Sequence, residues 1–181
     1  SIFIGNRFVM TTNDRKFIEF VKDECAKYDI KCSIRHVKYV KLSPRIRCAG
    51  WFDEEGRELV VASNRPDFLD ILAHEYSHLT QWVDQCKPWT NAGLSLNYVD
   101  DWLEGKNVKN IRRHLAACRD LELDNEKRAV KNIKKFRLSI NISTYIKTQK
   151  ITENELKAVS EKTGLNTASL SKMPEIGRAH V

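Results

Sequence analysis

His74 and His78 stand four residues apart, and Glu75 directly follows the first of them. On a helix, side chains four apart lie one turn from each other on the same face, so the two imidazoles could share one tetrahedral Zn2+. Glu75 could then aim a carboxylate at the coordination position left for water. Zinc lowers the pKa of a bound water from ~15.7 toward ~7 and polarises a scissile carbonyl. A carboxylate in that place accepts the proton as general base and later hands it to the leaving amine. The bland alternative is two surface histidines with a coincidental acid. Against it, Glu75 shares the phase of an apolar stripe made of Phe68, Ile71, Leu72, Leu79 and Trp82. A carboxylate is rarely buried without a partner or a metal nearby.

Two histidines do not complete a zinc site. No HExxHxxGxxH extension follows, because Gln81 and Gln85 occupy that region. The third ligand must come from elsewhere, and the segment Leu121-Glu122-Leu123-Asp124-Asn125-Glu126 is the best source. There Leu115, Cys118, Glu122, Asn125, Ala129, Ile133 and Phe136 follow helical spacing, with Glu122 in the middle of the stripe. Glu126 lies one turn further on and is the alternative ligand, or an acid that orients a ligating imidazole. The competing reading is an acidic patch that offsets a Lys-rich run through pairs such as Asp124–Arg128.

The surrounding elements must hold these groups. Asp14 to Tyr28 predicts an amphipathic helix with Phe17, Ile18, Val21, Cys25 and Tyr28 on one face, capped by Asn13 or Asp14. Lys31 to Leu42 reads as a strand broken by Ser43-Pro44. Arg45 to Phe52 and Arg57 to Ala62 flank Asp53-Glu54-Glu55-Gly56 and predict a β-hairpin, with Gly56 where a positive φ is easy. Asn64-Arg65-Pro66-Asp67 opens the histidine helix and Lys87-Pro88-Trp89 ends it. Asn91 to Asn110 is mixed, anchored by Tyr98 and Trp102. Ile111 to Phe136 is one long helix, and Ile142 to Leu170 one or two shorter ones. This order predicts an α+β fold with a small, mainly antiparallel sheet packed on helices. Trp51, Trp82, Trp89 and Trp102 read as core. His36 and His114 are lone histidines with surface or packing roles; Tyr76, Tyr98 and Tyr145 are undifferentiated candidates for oxyanion stabilisation, with a core or surface role the favoured reading of each.

At 181 residues, 41% of them apolar and 30% charged, the chain suits one folded domain rather than two. No apolar run approaches the ~20 residues of a membrane span, and no secretory signal is visible at the start. Five widely spaced cysteines without a CxxC pair suit reduced thiols in a cytoplasmic compartment. The net charge of +7 allows weak, non-specific nucleic-acid binding through a basic surface, but a solvated Lys-rich helix face is the favoured account of it. Residues 1–150 are expected to form the catalytic domain, and 151–174 a C-terminal helical segment or truncated extension. Glu175 to Val181 is what a common sequencing-adapter read would encode, and is expected to be foreign to the protein.

HEYSH followed some forty residues later by a helical ELDNEKRA resembles the gluzincin class of zinc peptidases. It is more closely similar to small single-domain minigluzincins and to metallopeptidases found in bacteriophage and environmental sequences. The resemblance spans Arg45 to Phe136. It implies a zincin-like fold with an edge hairpin, an HExxH helix and a second helix bearing the ligand Glu. It further implies Zn2+ held by His74, His78 and Glu122, Glu75 as base, Glu126 as an acid behind the ligands, and a peptide added along the edge strand, either Arg57 to Ala62 or Arg45 to Phe52. The family's small residue and Asp after the ligand Glu are replaced here by Asn125 and Glu126. The leading expectation is therefore hydrolysis of a peptide or protein substrate in the cytoplasm, or in a host cytoplasm if phage-encoded. A second is a regulatory or DNA-associated zincin module that acts on a single protein partner with little general protease activity. A third, a basic nucleic-acid-binding domain without hydrolysis, is opposed by the intact HExxH.

Overall fold

The computed structural model describes residues 3–4, 7–44 and 46–146. Within them the chain forms two compact units. The first takes residues up to Thr80 together with Lys127–Ile142, and the second takes Gln81–Glu126 with residues 143–146. The elements are β1 (Phe3–Ile4), β2 (Arg7–Phe8), α1 (Thr12–Lys27), β3 (Lys31–Arg35), β4 (Val40–Ser43), β5 (Ile46–Cys48), β6 (Gly50–Asp53), β7 (Glu58–Ala62), α2 (Phe68–Asp84), α3 (Lys87–Leu103) and α4 (Ile111–Lys135). The fold is mixed α+β with small sheets, as expected. No helix among the described residues is long and apolar enough to cross a membrane.

In the first unit, α1 buries Phe17, Val21 and Cys25, the stripe that its sequence period predicts; Ile18 and Tyr28 stay half-buried. Its cap is Thr11, ahead of the expected Asn13 or Asp14. The Thr11 hydroxyl accepts from the Asp14 N–H while the Asp14 carboxylate accepts from the Thr11 N–H, a reciprocal capping box. The single strand expected over Lys31 to Leu42 is two strands, β3 and β4, separated by an exposed stretch that carries His36. The run Arg45 to Phe52 also divides. Its first part, β5, pairs with β4, and its second part, β6, pairs with β7.

The three-stranded sheet has the order β3-β7-β6. β7 runs antiparallel to β6, the expected hairpin, but parallel to β3, so this sheet is mixed. Leu59, Val60, Val61 and Ala62 are all buried, as fits a central strand covered on both faces, so Arg57 to Ala62 is not the edge that the resemblance allowed; β3 and β6 are the edges. Val60 and Ala62 join Val40, Cys48 and Trp51 in one apolar cluster. Gly50, opposite Val61, lies close under α2: an added Cβ would stand 2.7 Å from the Val60 carbonyl oxygen and 3.1 Å from Ile71 Cγ2. In the hairpin turn the Asp53 carboxylate accepts from the N–H groups of Glu55 and Gly56, and the positive φ falls on Arg57, not on Gly56.

α2 begins at Phe68, after the Pro66 turn. It is buried without interruption from Ile71 to Ser77. A helix buried on every side lies inside a core rather than on its surface, so the amphipathic stripe read from its sequence understates its burial. Lys87-Pro88-Trp89 does not end this helix. It opens α3, with Cys86 as N-cap and proline in the first turn, where the missing N–H costs nothing. α2 stops instead at Asp84, and Gln85 turns into the left-handed region at φ 48°.

The second unit holds the end of α2, all of α3 and the first two-thirds of α4. Val99, Leu115 and Cys118 form its core, with Leu96, Trp102, Leu103 and Ile111 packed against them. Trp102 is an anchor as expected, whereas Tyr98 is half exposed. Of the four tryptophans only Trp51 is buried; Trp82, Trp89 and Trp102 are half-buried. The expected helices over Ile142 to Leu170, beyond a helical stretch at 142–146, and the segment 175–181 lie outside the described residues.

Candidate metal centre

α2 carries HEYSH in its middle, with six helical residues before it, of which Ile71, Leu72 and Ala73 form an unbroken buried run, and a further turn after it. His74 is 6% exposed and Glu75 4%, while His78 is half-buried. The expected burial of the Glu75 carboxylate is thus met. The neighbouring hydroxyls are satisfied within the helix: Ser77 Oγ donates to the Ala73 carbonyl at 2.6 Å, and Thr80 Oγ1 to the Ser77 carbonyl at 2.7 Å. Tyr76 turns away from solvent and meets the rings of Phe17 and Phe20 edge-on, with centroids 6.0 and 5.6 Å apart. It is a packing residue of the α1 side.

The two imidazoles stand edge to face, at 82° between planes, with their Nε2 atoms 3.2 Å apart. Two nitrogens at ~2.0–2.1 Å from one tetrahedral zinc would be about 3.3–3.4 Å apart. The i,i+4 spacing has therefore produced a pair of ring nitrogens at nearly the separation a shared ion requires. One ligand atom each from His74, His78 and Glu122 lies within 4.8 Å of the other two. Two imidazole nitrogens and a carboxylate oxygen are the donor set of three-ligand catalytic zinc sites. These residues fit the ion. Glu126, half-buried one turn beyond Glu122, belongs to no such set among the described residues.

No protein-family model matches the chain, and neither a curated protein nor a solved structure does.

Two thiols sense the neighbouring acids. Burial, then the charge of Glu75, raises the Cys48 pKa above its usual value. Burial, followed by the charges of Glu122 and Asp100, pushes Cys118 up to about 12. All five cysteines are free. Further out, His36 is exposed, and His114 is engaged elsewhere: its Nδ1 lies 2.9 Å from Ser95 Oγ and its ring stacks on Tyr98 at 4.4 Å. Tyr98 is thereby tied to His114, and Tyr145 is buried.

Gln81 acquires a role that its sequence context does not announce. It had only marked the absence of a longer histidine motif, yet it is completely buried. Its amide donates to the Leu121 carbonyl at 3.0 Å and to Asp124 Oδ2 at 2.8 Å. The available signal was its spacing, three residues after His78 and seven after His74, which puts a polar residue on the histidine face. On the far side, Arg128 Nη1 donates to Thr80 Oγ1 at 3.2 Å.

Proposed function

We propose that this chain is a zinc-dependent peptidase of gluzincin-like type, in which His74, His78 and Glu122 hold the metal and Glu75 is the general base. The observation that carries this reading is the convergence of the three ligand atoms within 4.8 Å, beside a buried carboxylate on the same helix. When bound, zinc supplies Lewis acidity, which polarises a carbonyl and makes a neighbouring water more acidic. The two imidazoles donate through neutral ring nitrogens, and the edge-to-face packing of their rings restricts how far either can turn. Glu75 takes the proton of the attacking water and returns it to the departing amine. The substrate class is a peptide or protein, and β6, an edge of the three-stranded sheet within Arg45 to Phe52, is the strand that would take an extended segment by main-chain addition.

The test pairs metal analysis of the purified protein with cleavage of a peptide library by wild type and Glu75→Gln. The expected result is one zinc per chain in both proteins, with turnover lower by several orders of magnitude in the variant. Undiminished turnover in Glu75→Gln would remove Glu75 as base. A wild-type protein that takes up no zinc and cleaves nothing would overturn the reading.

A further inference from the structure

A primary amide taken out of water costs about 1–3 kcal/mol unless its donors find acceptors. Gln81 meets that demand in a particular way. Its one nitrogen donates to two acceptors on a single turn of α4, the Leu121 carbonyl and the Asp124 carboxylate. Glu122 lies between them in the chain. A carbonyl oxygen has two lone pairs, so Leu121 can accept from Gln81 and still serve the helix ladder. The Cys86 thiol reaches the same Asp124 oxygen at 3.9 Å and adds a weak third tie.

A helix advances about 1.5 Å and turns about 100° per residue. A slip of one residue along α4 would therefore carry a carboxylate on this turn to a different face. Two bonds to points three residues apart forbid that slip, because one acceptor fixes the height of the turn and the second fixes its rotation. A single bond would leave the rotation free.

We propose that Gln81 is a positioning residue for Glu122: its amide sets the height and rotation of the Leu121–Asp124 turn and so delivers the carboxylate to the histidine pair. This rests on the reading of His74, His78 and Glu122 as metal ligands. It goes beyond that reading by giving the motif position three residues after the second histidine a defined task. Replacing an outer partner that orients a ligand typically costs ~10–100-fold in metal affinity.

The experiment uses the full chain with zinc and cobalt as probes. Zinc affinity is measured by competition with a chromophoric chelator, ligand geometry by the visible absorption of the cobalt form, and metal-free stability by denaturant unfolding. Gln81→Met keeps the side-chain length and removes both donors. It should lower zinc affinity by about 10–100-fold and alter the cobalt spectrum. Asp124→Leu, which removes one acceptor, should weaken binding by about tenfold, and Asp124→Asn, which keeps an oxygen for the amide, should lose less than Asp124→Leu. Wild-type affinity and an unchanged cobalt spectrum in Gln81→Met would overturn the proposal. If that variant does not fold, unchanged affinity in Asp124→Leu overturns it equally. A wild-type protein that binds neither metal would instead remove the ligand reading itself.

Discussion

Two buried polar clusters in the first unit show opposite logic. At the start of α1, Asp14 is fully buried, and burial alone would raise its pKa. Hydrogen bonds from the hydroxyl and backbone N–H of Ser139, and then from Thr11, outweigh burial and hold the carboxyl below its ordinary value. One acid meets a ring of donors from a cap and from a residue 125 positions away. In the middle of α2, His74 and Glu75 are buried, and the Nε2 atoms of His74 and His78 stand 3.2 Å apart. The first composition balances donors against acceptors and is architecture. The second brings two ring nitrogens together with a Glu122 oxygen, the group proposed above to hold zinc.

The comparison is broken most forcefully at the third ligand. Glu122→Ala should empty the zinc site, whereas Glu126→Ala should cost about 10–100-fold in affinity, as for a group that acts through an imidazole. Titrating zinc into both variants decides between them, and the reverse ranking would make Glu126 the ligand. At the other cluster, Asp14→Ala should leave zinc affinity untouched and lower stability by ~2–4 kcal/mol, because it strips the cap and leaves the Ser139 donors without their acceptor. Denaturant unfolding measures this. With its folded pKa below the unfolded value of 3.8, Asp14 contributes stability above that pH, and the contribution is lost as pH falls through the folded value.

The smallest effect sharpens the contrast. Asp70 occupies the first turn of α2, much as Asp14 does in α1, but burial and the neighbouring charge of Asp67 push it up to about 6. Here the sign reverses. The folded state holds the proton more tightly than the unfolded one, so stability is greatest below pH ~4 and declines as pH rises through ~6. Asp70→Asn should gain on the order of 1–2 kcal/mol at pH 7 after allowance for partial exposure, and the difference should vanish near pH 4. Unfolding curves across that range would show a constant offset if Asp70 were not the titrating group.

What could be read from residue order was what depends on period. The stripe Phe17, Val21, Cys25, the extent of α4, and the burial of Glu75 all follow from spacing, and so does the histidine pair. Features that depend on distant partners could not be read. Nothing near β3 announces that it pairs in parallel with β7, and nothing near Asp14 points to Ser139. The end of α2 escaped for a different reason. Prolines and glycines are the usual punctuation, and here a proline starts a helix while a glutamine ends one. Gln81 was visible as a polar residue on the histidine face, but only its partners on α4 give it a purpose.

The helix ends carry a last consequence. α1, α2 and α4 each close with paired bonds from the two residues after the cap back to the last turn, as in Ile30 N–H to the Cys25 carbonyl, Cys86 to Gln81 and Leu138 to Ile133. The residue that must turn left-handed in each is not glycine but Asp29, Gln85 or Arg137, at φ of 57°, 48° and 52°. Among the described helices only α3, with Gly105, uses the residue that turns freely. A side chain held left-handed costs roughly 1–2 kcal/mol. Three such positions, none of them a proposed ligand or base, amount to mutational headroom: a lineage or an engineer could recover stability there and spend it on a changed specificity at the metal.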